Sequence, residues 1–127
     1  MTLIKKIGLY LKSFRMLVHQ TEAEKATFKN ITSQEAENLY KDHKKDYIFL
    51  DVRSHFEYKQ KHIPGSTLIP IDELENRLSE VGDKNKNYVV YCAAGGRSAV
   101  ACALLNKHGY QHLLNAPGMN SWNGPTE

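Results

Sequence analysis

Two short apolar runs, YIFLD at 47–51 and YVVY at 88–91, constrain this chain more than any other feature. Both are too short for ordinary helices and too uniformly apolar for a strand with one wet face, so they read as strands buried on both sides. FKNI at 28–31, TLI at 67–69 and HLLN at 112–115 are further candidate strands. Amphipathic segments separate them. TSQEAENLY carries capping-box spacing between Thr32 and Glu35, and SHFEYKQKH repeats it between Ser54 and Glu57 before IPG stops the helix. PIDELENRL pairs Leu74 with Leu78 on a short helix. A last helix, predicted over Ser98 to His108, is apolar almost all round and closes at Gly109, so it packs centrally. Strands alternating with helices predict an α/β fold: an open parallel sheet covered on both faces, with ligands beyond the carboxyl ends of its strands.

At 127 residues the chain is long enough to bury a core without disulfides or metal. Cys92 and Cys102 form no CxxC pair, so neither a disulfide framework nor a zinc ribbon is suggested, and a reducing, cytoplasmic setting is expected. The net charge of +3 is uneven. Residues 1–21 hold Lys5, Lys6, Lys12 and Arg15 and no acid, leaving the rest near neutrality, so no nucleic-acid partner is expected. In the same segment Ile4, Ile7, Leu11, Phe14 and Val18 recur at spacings of three and four, which predicts an amphipathic helix. Two roles fit residues 1–18: peripheral attachment to a membrane surface, or docking against the domain or a protein partner. A secretory signal fits worst, because Lys12 and Arg15 interrupt its apolar core. QTEAEKAT reads as a linker, giving an N-terminal helix and linker over 1–25 and one domain over 26–127.

Cys92 stands at the carboxyl end of YVVY and is followed by AAGGRS. Ala93, Ala94, Gly95 and Gly96 leave room for a ring of backbone N–H groups, the following helix adds its positive end, and Arg97 and Ser98 complete the cradle. Such a pocket favours a thiolate and equally a persulfide or an oxyanion. Cys102, inside the apolar helix, reads as structural. Asp51 and Arg53, two apart at a strand end, read as an ion pair supporting the cysteine loop. Arg97 has two readings, binding a donor anion or pinning the loop through a carboxylate. Glu57 serves its capping box, His62 the turn through a side-chain hydrogen bond, and Trp122 the core.

YCAAGGRSAVACALLNKHGY resembles the active-site loop and helix of the rhodanese-like sulfurtransferases. IFLDVRSHFEYKQKHIPGSTLIP is similar to the family's first signature, with Asp51, Val52, Arg53 and Glu57 ahead of a His-Ile-Pro-Gly turn, and LLNAPGMNSW to its closing one. The family often has glycine where Lys61 stands and Gly-Gly where this chain has Pro117-Gly118. The resemblance implies one rhodanese-like domain built on an open five-stranded parallel sheet with helices on both faces, preceded here by the N-terminal amphipathic helix. It also implies transfer of sulfane sulfur through a Cys92 persulfide, with Ala93, Ala94, Gly95, Gly96, Arg97 and Ser98 binding the donor and neither metal nor organic cofactor required. The implied partners are thiosulfate, a polysulfide or a persulfide as donor, and a thiol, cyanide or a protein as acceptor. Two other readings stand beside it. One is a non-catalytic or sulfur-carrier module working in a membrane or protein complex. The other is a cysteine phosphatase or arsenate reductase, whose loops resemble Cys-x5-Arg, whereas Cys92 and Arg97 are separated by four residues.

Overall fold

A computed structural model describes residues 28–127. The amphipathic helix expected over 1–18 and the boundary placed between 25 and 26 lie outside the described residues. Strands β1 (Phe28–Asn30), β2 (Tyr47–Asp51), β3 (Thr67–Leu68), β4 (Asn87–Tyr91) and β5 (Leu113–Asn115) form one parallel sheet in the order β1-β5-β4-β2-β3. Helices α1 (Ser33–His43), α2 (His55–Gln60), α3 (Ile71–Leu74) and α4 (Gly96–Lys107) connect them.

Strand period and burial agree. Tyr88 and Val90 of β4 face one core with Leu50, Ala101, Cys102 and Leu105, while Val89 and Tyr91 face the other with Ala36, Tyr40 and Phe49. Each side of the sheet is therefore covered, as two-sided apolar strands require. Both capping boxes are formed: Thr32 and Glu35 open α1, and Ser54 and Glu57 open α2. Trp122 belongs to the core beside Tyr40 and Phe49, with edge-on ring contacts at 5.8 and 6.4 Å.

Several expected elements differ in extent. The helix predicted from Ser98 begins at Gly96, because Gly95 adopts φ 99° as its N-cap and turns the chain two residues earlier. The helix pairing Leu74 with Leu78 is a four-residue α3 continued by 3-10 turns over Glu75–Glu80, with non-helical Arg77 (φ −126°, ψ 27°) between them. The strands expected at FKNI, TLI and HLLN are each one residue shorter.

The topology fixes where a site can lie. From β2 the chain goes outward to β3, and from neighbouring β4 it goes the other way to β5, so the two connections diverge at the carboxyl ends of β2 and β4. Asp51 and Tyr91 are register partners at that point. Cys92 is the next residue.

Candidate active site

The Cys92 side chain lies at the floor of the loop and is 1% exposed. Its sulfur accepts hydrogen bonds from the Gly95 N–H at 3.1 Å and the Ser98 N–H at 3.4 Å. The Ser98 hydroxyl lies 3.4 Å away on the same sulfur. Burial by itself raises the thiol's pKa, since it penalises the anion. The Ser98 hydroxyl and the amides of Ser98, Gly95 and Ala94 outweigh that penalty and bring Cys92 below the ordinary thiol value. Ser98 Oγ is also 3.5 Å from the Ala116 carbonyl. One hydroxyl proton therefore has two destinations: it points at the sulfur when Cys92 is a thiolate, and is free to turn to the carbonyl when the thiol carries its own proton.

Gly95 makes the cradle close. Its amide meets the sulfur, its positive φ turns the chain straight into α4, and its carbonyl accepts from the Ala99 N–H at 3.1 Å and the Asn115 side chain at 3.3 Å. The loop's outer edge is held by the segment after β5. The Met119 N–H donates to the Cys92 carbonyl and the Asn120 N–H to the Ala93 carbonyl, both at 2.9 Å. Ala94 and Gly96 are the exposed members of the rim.

At the end of β2 Asp51 is fully buried and Arg53 is 5% exposed. Arg53 donates to both Asp51 oxygens, the shortest contact being 2.7 Å, and reaches the Lys61 carbonyl at 2.7 Å. The pair thereby ties the end of β2 to the turn after α2, at the position where Lys61 contributes only its backbone. Tyr91 continues the brace, its hydroxyl donating to Ser66 Oγ and accepting from the Ile63 N–H. His62 stacks on Tyr58 and donates Nδ1–H to the Tyr58 carbonyl at 2.8 Å, the turn-building role expected of it.

The Rhodanese-like domain family matches residues 32–124 of this sequence. The chain belongs to that family. It is 40% identical over 72 residues to the thiosulfate sulfurtransferase PspE of Escherichia coli, a match covering 56% of this chain and 69% of that protein. It is also 40% identical over 79 residues to the putative sulfur carrier protein YrkF of Bacillus subtilis, covering 61% of this chain but only 42% of YrkF. Among solved structures, a rhodanese-related protein from Thermoplasma volcanium superposes with a TM-score of 0.67 at 33% identity, covering 78% of this chain and 97% of that one.

This rhodanese-like domain brings Cys92, Ala94, Gly95 and Ser98 together around one sulfur, and places Ala93 and Gly96 in the same turn. Asp51 and Arg53 stand at the end of the neighbouring β2 as a buried ion pair whose further contact is the Lys61 carbonyl. Arg97 does not point at the sulfur as a hydrogen-bond donor. Its Nη1 and Nη2 donate to Glu57 at 2.8 and 3.0 Å, joining α4 to α2. Glu57 thus has two tasks, because Oε1 also accepts from the Ser54 backbone and hydroxyl. The capping-box motif pointed to the first and is silent on the second. Asn115 and Gly118 also act on the loop, and of these only the PGM turn carried a sequence cue. Cys102 is fully buried, and burial pushes its thiol up to about 12.

Ser98 offers a direct check on the cradle. Ser98→Ala keeps the amide ring and removes the hydroxyl, so the pH midpoint for Cys92 reaction with a small electrophile is expected to rise, with a several-fold slower reaction at neutral pH. An unchanged midpoint would show that the amides alone set the thiolate.

Proposed function

We propose that the protein is a rhodanese-type sulfurtransferase in which Cys92 carries the sulfur. The observation that carries this reading is a buried thiol that accepts from the amides of Gly95 and Ser98 and has the Ser98 hydroxyl, able to donate, at 3.4 Å. The relatedness to a thiosulfate sulfurtransferase supports the same chemistry.

The Cys92 thiolate attacks the sulfane sulfur of the donor. The donor's S–S bond breaks, its electron pair leaves with sulfite from thiosulfate or with a thiolate from an organic persulfide, and the Cys92 S–S bond forms. An acceptor thiolate or cyanide then attacks the terminal sulfur, takes it as a persulfide or thiocyanate, and returns the Cys92 thiolate. Each half-reaction balances without an external oxidant or reductant. The persulfide adds one S–S length of about 2.05 Å beyond a floor-level sulfur, which moves the reactive atom toward the rim where acceptors arrive. Amides of the loop hold its negative charge, and the two half-reactions give ping-pong kinetics. The turn of four residues between Cys92 and Arg97 suits one sulfur atom better than a tetrahedral oxyanion, which favours sulfur over phosphoryl transfer.

Intact-mass analysis tests this directly. After brief treatment with thiosulfate or polysulfide the protein is expected to gain one sulfur atom on Cys92, and to lose it on adding cyanide. A folded protein that loads from neither donor would overturn the reading.

A further inference from the structure

Arg97 is the single charged side chain of residues 93–98, and its charge is already engaged. Two of its N–H groups meet the two oxygens of Glu57 in a parallel pair at 2.8 and 3.0 Å. The side chains are 40% and 32% exposed, so the pair stands at the mouth of the loop and not in the core. Arg97 immediately precedes Ser98, whose N–H is 3.4 Å from the Cys92 sulfur, so its charge is carried by the loop that cradles the reacting atom. Arg97 and its Ser54 contacts hold the Glu57 carboxyl down to about 2, so the carboxylate is present throughout the working pH range. The loop's own cation is therefore balanced by the Glu57 carboxylate, beside a cradle of neutral dipoles that can accept a single negative sulfur.

Resting on the sulfur-transfer reading above, we propose that Glu57 sets the charge selectivity of the loop: by pairing with Arg97 it disfavours dianionic donors relative to monoanionic ones. A dianion feels any net charge at the mouth twice as strongly as a monoanion at the same distance, so cancelling the arginine falls hardest on it. Glu57 is 40 residues from Arg97 in the chain and touches no reacting atom, which makes it a specificity residue acting through Arg97.

Thiosulfate and methanethiosulfonate separate the charge from the chemistry. Both deliver a sulfane sulfur to the Cys92 thiolate, the first leaving as sulfite and the second as methanesulfinate, and they differ by one negative charge. Glu57→Gln preserves size and the capping-box acceptor while removing the carboxylate charge. The ratio of kcat/KM for thiosulfate to that for methanethiosulfonate is expected to rise about tenfold, mainly through KM, equivalent to about 1.4 kcal/mol of preference. The gain should disappear in the Glu57→Gln, Arg97→Gln double variant. Arg97→Gln alone leaves an unpaired carboxylate at the mouth and is expected to lower the ratio, which keeps the question answerable if Glu57→Gln fails to fold. An unchanged ratio in folded variants, or an equal loss with both donors, would assign Glu57 a purely structural role and overturn the proposal while leaving sulfur transfer intact. A wild-type protein that loads sulfur from neither donor would overturn both.

Discussion

Serine in place of Cys92 is expected to leave a folded protein whose transfer rate has fallen by about a thousandfold or more. The fold should survive because the side chain is nearly the same shape, and the donors around it, Gly95, Ser98 and their amides, can bond to oxygen as well as to sulfur. The chemistry should not survive. The cradle lowers a thiol whose ordinary pKa is about 8.5, but a hydroxyl lies far too high for the same amides to ionise it, and an oxygen nucleophile forms no persulfide. The internal comparison is Cys102→Ala. That thiol is buried in the apolar face of α4 and pushed up to about 12, so it stays protonated and its removal should leave turnover near the wild-type rate. Thiocyanate release and the sulfur-loaded mass measure both variants. Appreciable turnover by Cys92→Ser would move the sulfur-carrying role elsewhere.

Legibility followed sequence distance. β2 and β4 were read because their apolar runs need no distant partner to be recognised, and α1 and α2 because Thr32–Glu35 and Ser54–Glu57 form boxes within one turn. The cysteine loop was legible for the same reason: six consecutive residues hold most of the cradle. α4 starts two residues ahead of the predicted position because the left-handed Gly95, not a side-chain cap, begins it. What reaches the loop from afar could not be read from local pattern. Glu57 meets Arg97 across 40 residues, and Asn115 meets Gly95 across 20, and neither contact has a periodicity or spacing that announces it. The ion pair of Asp51 and Arg53 was anticipated from its two-residue spacing, but its link to the Lys61 carbonyl depends on how α2 ends.

Gly118→Ala is expected to cost about 4 kcal/mol or more, the exceptional end of single substitutions, and to disable the cysteine loop with it. Gly118 adopts φ 104° and ψ −160°, a region open essentially to glycine alone and worth about 1–3 kcal/mol of strain for any other residue. The space is closed as well. A Cβ there would overlap the Cys92 carbonyl oxygen and lie 2.6 Å from its carbon, and those atoms are backbone with no rotamer to yield. Relief requires the chain after β5 to move away from the loop, which breaks the Met119 N–H bond to the Cys92 carbonyl and the Asn120 N–H bond to the Ala93 carbonyl. Gly95, which faces Pro117, then loses its neighbour, and the amides aimed at the sulfur lose their fixed direction. Activity should therefore fall further than the melting temperature alone explains, because the fraction still folded carries a disordered cradle. Thermal unfolding and the pH midpoint of Cys92 reactivity, measured on the same samples, separate the two effects. A variant that melts early but keeps the wild-type midpoint would show that the cradle holds without its outer clamp, leaving Gly95, Ser98 and the start of α4 as sufficient to build the site.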